Sequence, residues 1–342
     1  MVNLTMYNMG HGDCFLIADQ TEGVLIDCGG SAYSSAIVKT YVSPDLLSIQ
    51  NKRLVITHFH NDHINKIKLL NKNIKFKDVY VPNALNTKDI HRAFAIIKYG
   101  KPRSKAYAMA YNYLMLIPMI EDYLDKSSTI HYVSRFYKMD FNFSLFEVLW
   151  PDKNLFFKED LNFKFTKKEK EIISEYESIF LEYIQDEYSS ITVTLERYKK
   201  NRDIKSIMDD FKQQPKDVEK DYTFNIKEIS KKLGNQLSLV IIDSNKSLFT
   251  GDITKKIFNE EVASHVVARI TILKTPHHGS KSCFTYLLPN ADIALVTEIS
   301  SKGTIDYANY CLSGNYSRII MCDPDLRNPN IVYLSSFIKI PY

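Results

Sequence analysis

Three of the chain's nine histidines fall in one heptapeptide, Thr57-His58-Phe59-His60-Asn61-Asp62-His63, directly after the apolar run Leu54-Val55-Ile56. In an extended segment His58 and His60 point the same way, and Asp62 and His63 follow after a turn. Imidazole and carboxylate suit Zn²⁺ first, with Mn²⁺ or Fe as alternatives. Four ligands this close together cannot comfortably wrap one ion. The spacing therefore predicts two divalent ions, His58 and His60 on one, Asp62 and His63 on the other.

Two ions need more ligands than one loop supplies. Ser247-Leu248-Phe249-Thr250-Gly251-Asp252 is an apolar strand ending in a glycine that permits a sharp turn, which puts Asp252 where its carboxylate can bridge both ions. Ile272-Leu273-Lys274-Thr275-Pro276-His277-His278-Gly279-Ser280 is a second strand, ending in paired histidines. Alone, a turn aspartate or a histidine pair says little. Together with the heptapeptide they make three strand ends carrying ligands, and sites in layered α/β sheets gather beyond the carboxyl ends of strands.

The elements that would position these groups can be read from pattern. Short apolar runs punctuated by glycine and acidic residues read as strands over 2–7, 14–17 and 23–28, with a helix around 33–42. Further strands read over 53–57 and 78–82, with a helix over 64–70 between them. Residues 87–127 read as helical and 130–151 as strands. Strands return over 237–242, 246–250, 270–275, 292–299 and 331–334. Residues 160–232 carry 15 basic and 16 acidic side chains, which reads as a solvated helical hairpin. Strands with helices at both ends of the chain predict a layered α/β fold, one domain over 1–342, interrupted by a helical insertion at about 87–127 and 160–232.

Composition sets bounds. Of 342 residues, 45% are apolar and 25% charged, and glycine and proline number only 11 each, which argues against low complexity and disorder. Five scattered cysteines without a CxxC pair argue against a disulfide framework and for a reducing compartment, so a cytoplasmic location is expected. The first residues lack the basic and apolar regions of a secretory signal, and no window is apolar enough to span a membrane. A net charge of +4 permits an anionic partner without requiring one.

In order, Gly10-His11-Gly12-Asp13, Ile26-Asp27-Cys28-Gly29, the heptapeptide, Asn235-Gln236-Leu237-Ser238-Leu239-Val240, Thr250-Gly251-Asp252 and Pro276-His277-His278-Gly279-Ser280 resemble the motifs of the metallo-β-lactamase fold. The set resembles most the branch that includes the hydrolase domain of the ComEC DNA-uptake proteins. The resemblance covers roughly residues 1–85 and 234–300; the helical middle matches no motif. It implies an αββα sandwich with two metals at the edge between the sheets. It implies Asp252 as the bridge and one of the His277/His278 pair completing the second ion, with His278 preferred and His277 near the substrate. Asp13 and Asp27 are expected behind the ligands, orienting them; His11 either faces the site or caps its turn. Many members of the fold supply a third histidine to the first ion. Here no histidine lies between His131 and His265, and Asn235 stands near that place. The first ion is then the more weakly held, or is Mn²⁺, unless His91 or His131 reaches in.

The expected chemistry is metal-assisted hydrolysis, with Asp62 or Asp252 orienting the water and His277 or His278 protonating the leaving group or holding an oxygen. Ser280 and Lys281 stand where they could touch an anion. The resemblance to the ComEC-like branch, with the basic residues Lys274, Lys281 and Lys302, points first to a phosphodiester in a nucleic acid or nucleotide. The alternatives are a small ester, lactone or phosphocholine-type substrate, and a non-catalytic metal-binding regulator. No protein partner can be read from the residues.

Overall fold

The computed structural model describes residues 1–83, 87–152, 165–181, 190–194, 203–214, 233–297, 316–321, 331–333 and 337–342. These form two eight-stranded mixed sheets. Their strands, in chain order, are β1 (Asn3–Tyr7), β2 (Phe15–Ala18), β3 (Glu22–Ile26), β4 (Asn51–Val55), β5 (Phe76–Pro82), β6 (Leu124–Val133), β7 (Lys138–Phe141), β8 (Ser144–Trp150), β9 (Ser190–Thr194), β10 (Val240–Asp243), β11 (Ser247–Phe249), β12 (Arg269–Lys274), β13 (Asn290–Val296), β14 (Tyr316–Met321), β15 (Ile331–Tyr333) and β16 (Phe337–Pro341). One sheet runs β16-β1-β2-β3-β4-β5-β6-β9 and the other β15-β14-β13-β12-β11-β10-β8-β7. Each contains a parallel run: β3 to β6 in the middle of the first, and β11 to the edge strand β15 in the second.

Period-two alternation produces the layers. Phe15, Ile17, Val24, Ile26 and Val55 face inward and meet Ile241, Phe249, Ile272 and Leu295 of the other sheet in one buried cluster. Their neighbours Leu16, Leu25 and Leu54 face the opposite way, into a second cluster under helices. Leu248, Leu273 and Ala294 do the same on the far side of the second sheet, under a helical segment that buries Phe258 and Val262. Strands covered on both faces read as near-continuous apolar runs, as they do here. The result is the four-layer αββα sandwich.

The helical middle differs from its charge pattern. Residues 87–123 form the helices Thr87–Tyr99, Lys105–Leu114 and Leu116–Ile120 and a short turn, and β6 already begins at Leu124. Within 160–232 the described parts are the helices Lys167–Leu181 and Ile204–Lys212 and the strand β9, which pairs antiparallel with β6. Ile172, Ile173, Tyr176 and Ile179, with Ile204, Ile207, Met208 and Phe211, are buried in the cluster on the outer face of the first sheet. These helices are therefore a core layer rather than a solvated hairpin. Their apolar residues recur at three- and four-residue steps, a stripe that a count of charges hides. The buried Lys98–Glu169 pair (2.6 Å) and the Tyr176 hydroxyl, which donates to the Leu114 carbonyl (3.1 Å), fasten them. At the other end, β16 pairs with β1, so the chain closes on its first strand rather than at β15.

Candidate metal centre

Both sheets end at one edge, and the ligand-bearing turns meet there. His58–His63 follow β4, Asp27 follows β3, Asp252 follows β11, His277 and His278 follow β12, and Thr297 follows β13; Asp13 precedes β2. Main-chain hydrogen bonds hold the turns together: Asp13 N–H donates to the Asp62 carbonyl (3.1 Å), Cys28 N–H to that of His63 (2.7 Å), and Leu239 N–H to that of Thr57 (2.8 Å). The approach is close enough that a Cβ on Gly29 would lie 2.1 Å from the Asp62 carbonyl carbon. Gly251, at φ 51°, makes the turn that delivers Asp252.

Ligand atoms gather in three groups: His11, Asp62 and His278 form one, and two further groups share Asp252. Asp13, His63, Asp252 and His278 form one buried group, with Asp62 alongside: His278 Nε2 is 3.5 Å from both Asp62 Oδ2 and Asp252 Oδ2, and His63 Nε2 is 3.4 Å from Asp252 Oδ1. His58, His60 and Asp252 form the other; His58 Nε2 lies 3.7 Å from Asp252 Oδ2 and 3.0 Å from His60 Nδ1. Asp252 belongs to both.

The atoms behind the ligands fix which ring nitrogen faces inward. Asp27 accepts from His63 Nδ1 (2.7 Å) and from the Thr57 N–H and hydroxyl (2.7 and 2.6 Å). Asp13 meets His278 Nδ1 (3.0 Å) and Lys274 Nζ (2.6 Å). Each carboxylate thereby turns the Nε2 of its imidazole into the site. His63 Nε2, His278 Nε2 and Asp252 Oδ1 are buried and make no hydrogen bond. Buried polar atoms are ordinarily satisfied, and three unpartnered ligand atoms aimed at one point are what a divalent ion takes once the imidazoles give up their protons. The donor set fits Zn²⁺ or Mn²⁺.

Electrostatics separate the two groups. Burial alone would depress His278, but Asp252 and Asp13 outweigh it and lift its pKa to about 9. His63 is likewise raised, by Asp252, Asp27 and Asp13 against its desolvation. His60 goes the other way, pushed down to about 4 by burial despite Asp62 and Asp252, and His58 falls well below its ordinary value by burial and the charge of His63. Asp252 is held well below the carboxylate range; its desolvation is overcome by His278, His63 and His277.

The remaining sequence candidates are distributed unevenly. His277, at φ 48°, sits on the wall of a cavity of about 490 Å³ with Nε2 3.6 Å from Asp252 Oδ2. Asn235 lines the same cavity with a buried, unpartnered Oδ1. His11 is at the site, its Nε2 3.0 Å from Asp62 Oδ2. Ser280 and Lys281 are not among the described residues that line it; Lys302 lies outside the described residues. His131 and His91 are engaged elsewhere, 3.2 Å from Asp78 and 3.3 Å from Glu177. Thr57, Thr297 and the ion-pairing role of Lys274 were not foreseen. A lysine inside the apolar run Ile272-Leu273-Lys274 was the available signal; the two threonines gave none.

Residues 7–90 match the family model of the metallo-β-lactamase superfamily. That stretch runs from the end of β1 through β5, includes the His58–His63 loop, and stops short of Asp252, His277 and His278. Among solved structures, the chain is similar to "Crystal Structure of a Protein of Unknown Function from Enterococcus faecalis V583", at 11% identity and a TM-score of 0.24. That likeness covers 44% of this chain and 37% of the other. No curated protein matches. No described helix is long and apolar enough to cross a membrane.

Proposed function

We propose that this protein is a metal-dependent hydrolase acting on phosphodiesters of a nucleic acid or nucleotide, as the resemblance to the ComEC-like branch suggests. The observation that carries the reading is the convergence of the orphaned His63 Nε2, His278 Nε2 and Asp252 Oδ1 beside an open cavity that Asp252 and Asp62 line. Asp62, His63, His278 and Asp252 would hold one ion, and His58, His60 and Asp252 a second. Divalent ions so held supply Lewis acidity and an acidified water. Asp62 orients the attacking water, and His277, on the cavity wall, meets the leaving oxygen and delivers a proton at Nε2. Asn235 takes the position of the missing third histidine, which makes the His58/His60 ion the more exchangeable of the two.

The test is a panel with metal-stripped protein reloaded with Zn²⁺ or Mn²⁺. It offers bis(4-nitrophenyl) phosphate, single-stranded DNA, RNA, cyclic nucleotides, a lactone and 4-nitrophenyl phosphocholine. Metal-restored cleavage of the phosphodiesters, lost in Asp62→Ala by at least about a hundredfold, is expected. Turnover of the lactone or the phosphocholine ester alone would move the protein to the small-ester reading. Metal binding with no turnover of any substrate would favour a regulator.

A further inference from the structure

The cavity above the ligands has one wall that no motif foresaw. Among the described residues lining it, Lys105 is the sole lysine or arginine and the sole contribution from the 87–127 segment. Around it the rim is neutral and polar, with Ser31, Asn61, Asn65 and Asn235. Of the proposed ligands that line it, Asp252 is buried and His60 and Asp62 are half-buried, whereas Lys105 is exposed, which places it at the mouth.

Local helix physics does not explain a lysine there. Lys105 is the first residue of the helix Lys105–Leu114, capped by Ser104, whose hydroxyl accepts from the Tyr107 N–H (3.2 Å). The first turn carries no acidic residue. A cation at this end opposes the helix dipole. Lys105 forms no ion pair within the described residues. The helix itself is held in register with the metal loop. Asn112 Nδ2 donates to the Phe59 carbonyl (3.1 Å) and to Asn61 Oδ1 (2.8 Å), so Lys105 is positioned by the same loop that carries the ligands.

We propose that Lys105 is a substrate-positioning residue, binding a second anionic group of a nucleotide-type substrate, away from the phosphodiester that is cleaved. The insertion then selects the substrate. This rests on the hydrolase reading above, and the experiment separates the two. Two probes differ by one phosphate: thymidine 5′-(4-nitrophenyl phosphate), and the same ester carrying a 3′-phosphate. The wild type is expected to show a KM about three- to tenfold lower for the 3′-phosphorylated probe, the scale of one exposed charge-assisted contact. Lys105→Ala should erase that preference through KM, Lys105→Arg should keep it, and metal content by mass spectrometry should be equal in all three. An unchanged preference in Lys105→Ala would overturn the assignment. If the wild type cleaves neither probe, the phosphodiesterase reading fails, and calorimetry still decides Lys105. Thymidine 3′,5′-bisphosphate should bind more tightly than thymidine 5′-monophosphate to wild type but not to Lys105→Ala. Equal affinities for the wild type would sink it.

Discussion

At the scale of single residues, the site is a set of imidazoles whose protons are placed by carboxylates. Asp27 and Asp13 occupy the Nδ1 of His63 and His278, so a proton on either ring of the metal-free protein's second nitrogen sits where an ion must bind. His278 titrates at about 9 and His63 well above its ordinary value. Near neutral pH both are charged, and a metal must displace a proton from each. Affinity at the His63/His278 group should therefore rise with pH by about tenfold per unit for each proton displaced, up to about pH 9. His58 is well below its ordinary value and His60 at about 4, so both are already neutral. Their group should show almost no such slope above pH 5. Competition with a chromophoric chelator between pH 6 and 8, with proton release measured in two calorimetry buffers, checks both slopes. A flat profile for both groups would contradict protonated resting imidazoles.

At the scale of elements, what was legible and what was hidden follow from how each kind of signal is written. The candidate cluster is legible because metals accept few residue types and strand ends hold them at fixed spacing, so His58, His60, Asp62, His63 and Asp252 stand out in the sequence and meet in the fold. The strands β1 to β5 are legible because apolar runs bounded by glycine and acidic residues have few other readings. β9, β14 and β16 leave no clear pattern, β9 because it lies in a segment whose charges read as helical, and β16 because its pairing with β1 joins residues far apart in the sequence. The helices Lys167–Leu181 and Ile204–Lys212 were misjudged because lysine and glutamate fill their exposed faces while Ile207, Met208 and Phe211 form a narrow buried stripe. Phe211 packs edge-on to Phe94 at 4.7 Å between ring centres and is 3% exposed. Phe211→Ala should therefore destabilise the fold by about 3–5 kcal/mol, as deletion of a buried ring does. A solvated hairpin would lose almost nothing. Urea unfolding of the metal-free variant measures the difference.

At the scale of the whole molecule, the two sheets are joined at the site edge by groups that belong to different sheets. His58, His60, Asp62 and His63 hang from the first sheet, and Asp252 and His278 from the second. Without an ion, the joint is made of buried charges: Asp13, Asp252, His63, His278 and Lys274, each at most 2% exposed. The pKa of Asp252 is depressed, so its contribution is present above the ordinary carboxylate range and is lost as acid protonates it. The pKa of His278 is raised, so its contribution is complete below 6.5 and is lost as pH climbs to about 9. The metal-free joint is thus strongest in mildly acidic solution and loosens through neutrality. A bound ion reverses the trend, because the same deprotonation that loosens the empty joint strengthens coordination. An ion at about 100 times its Kd adds about 2.7 kcal/mol, which for a chain of this length raises Tm by about 4 °C. At fixed total Zn²⁺ the rise in Tm over the chelator-treated protein should be larger at pH 8 than at pH 6, and absent in Asp252→Ala at both. A rise that shrinks from pH 6 to pH 8 would mean that the ion does not bind at the imidazoles joining the two sheets.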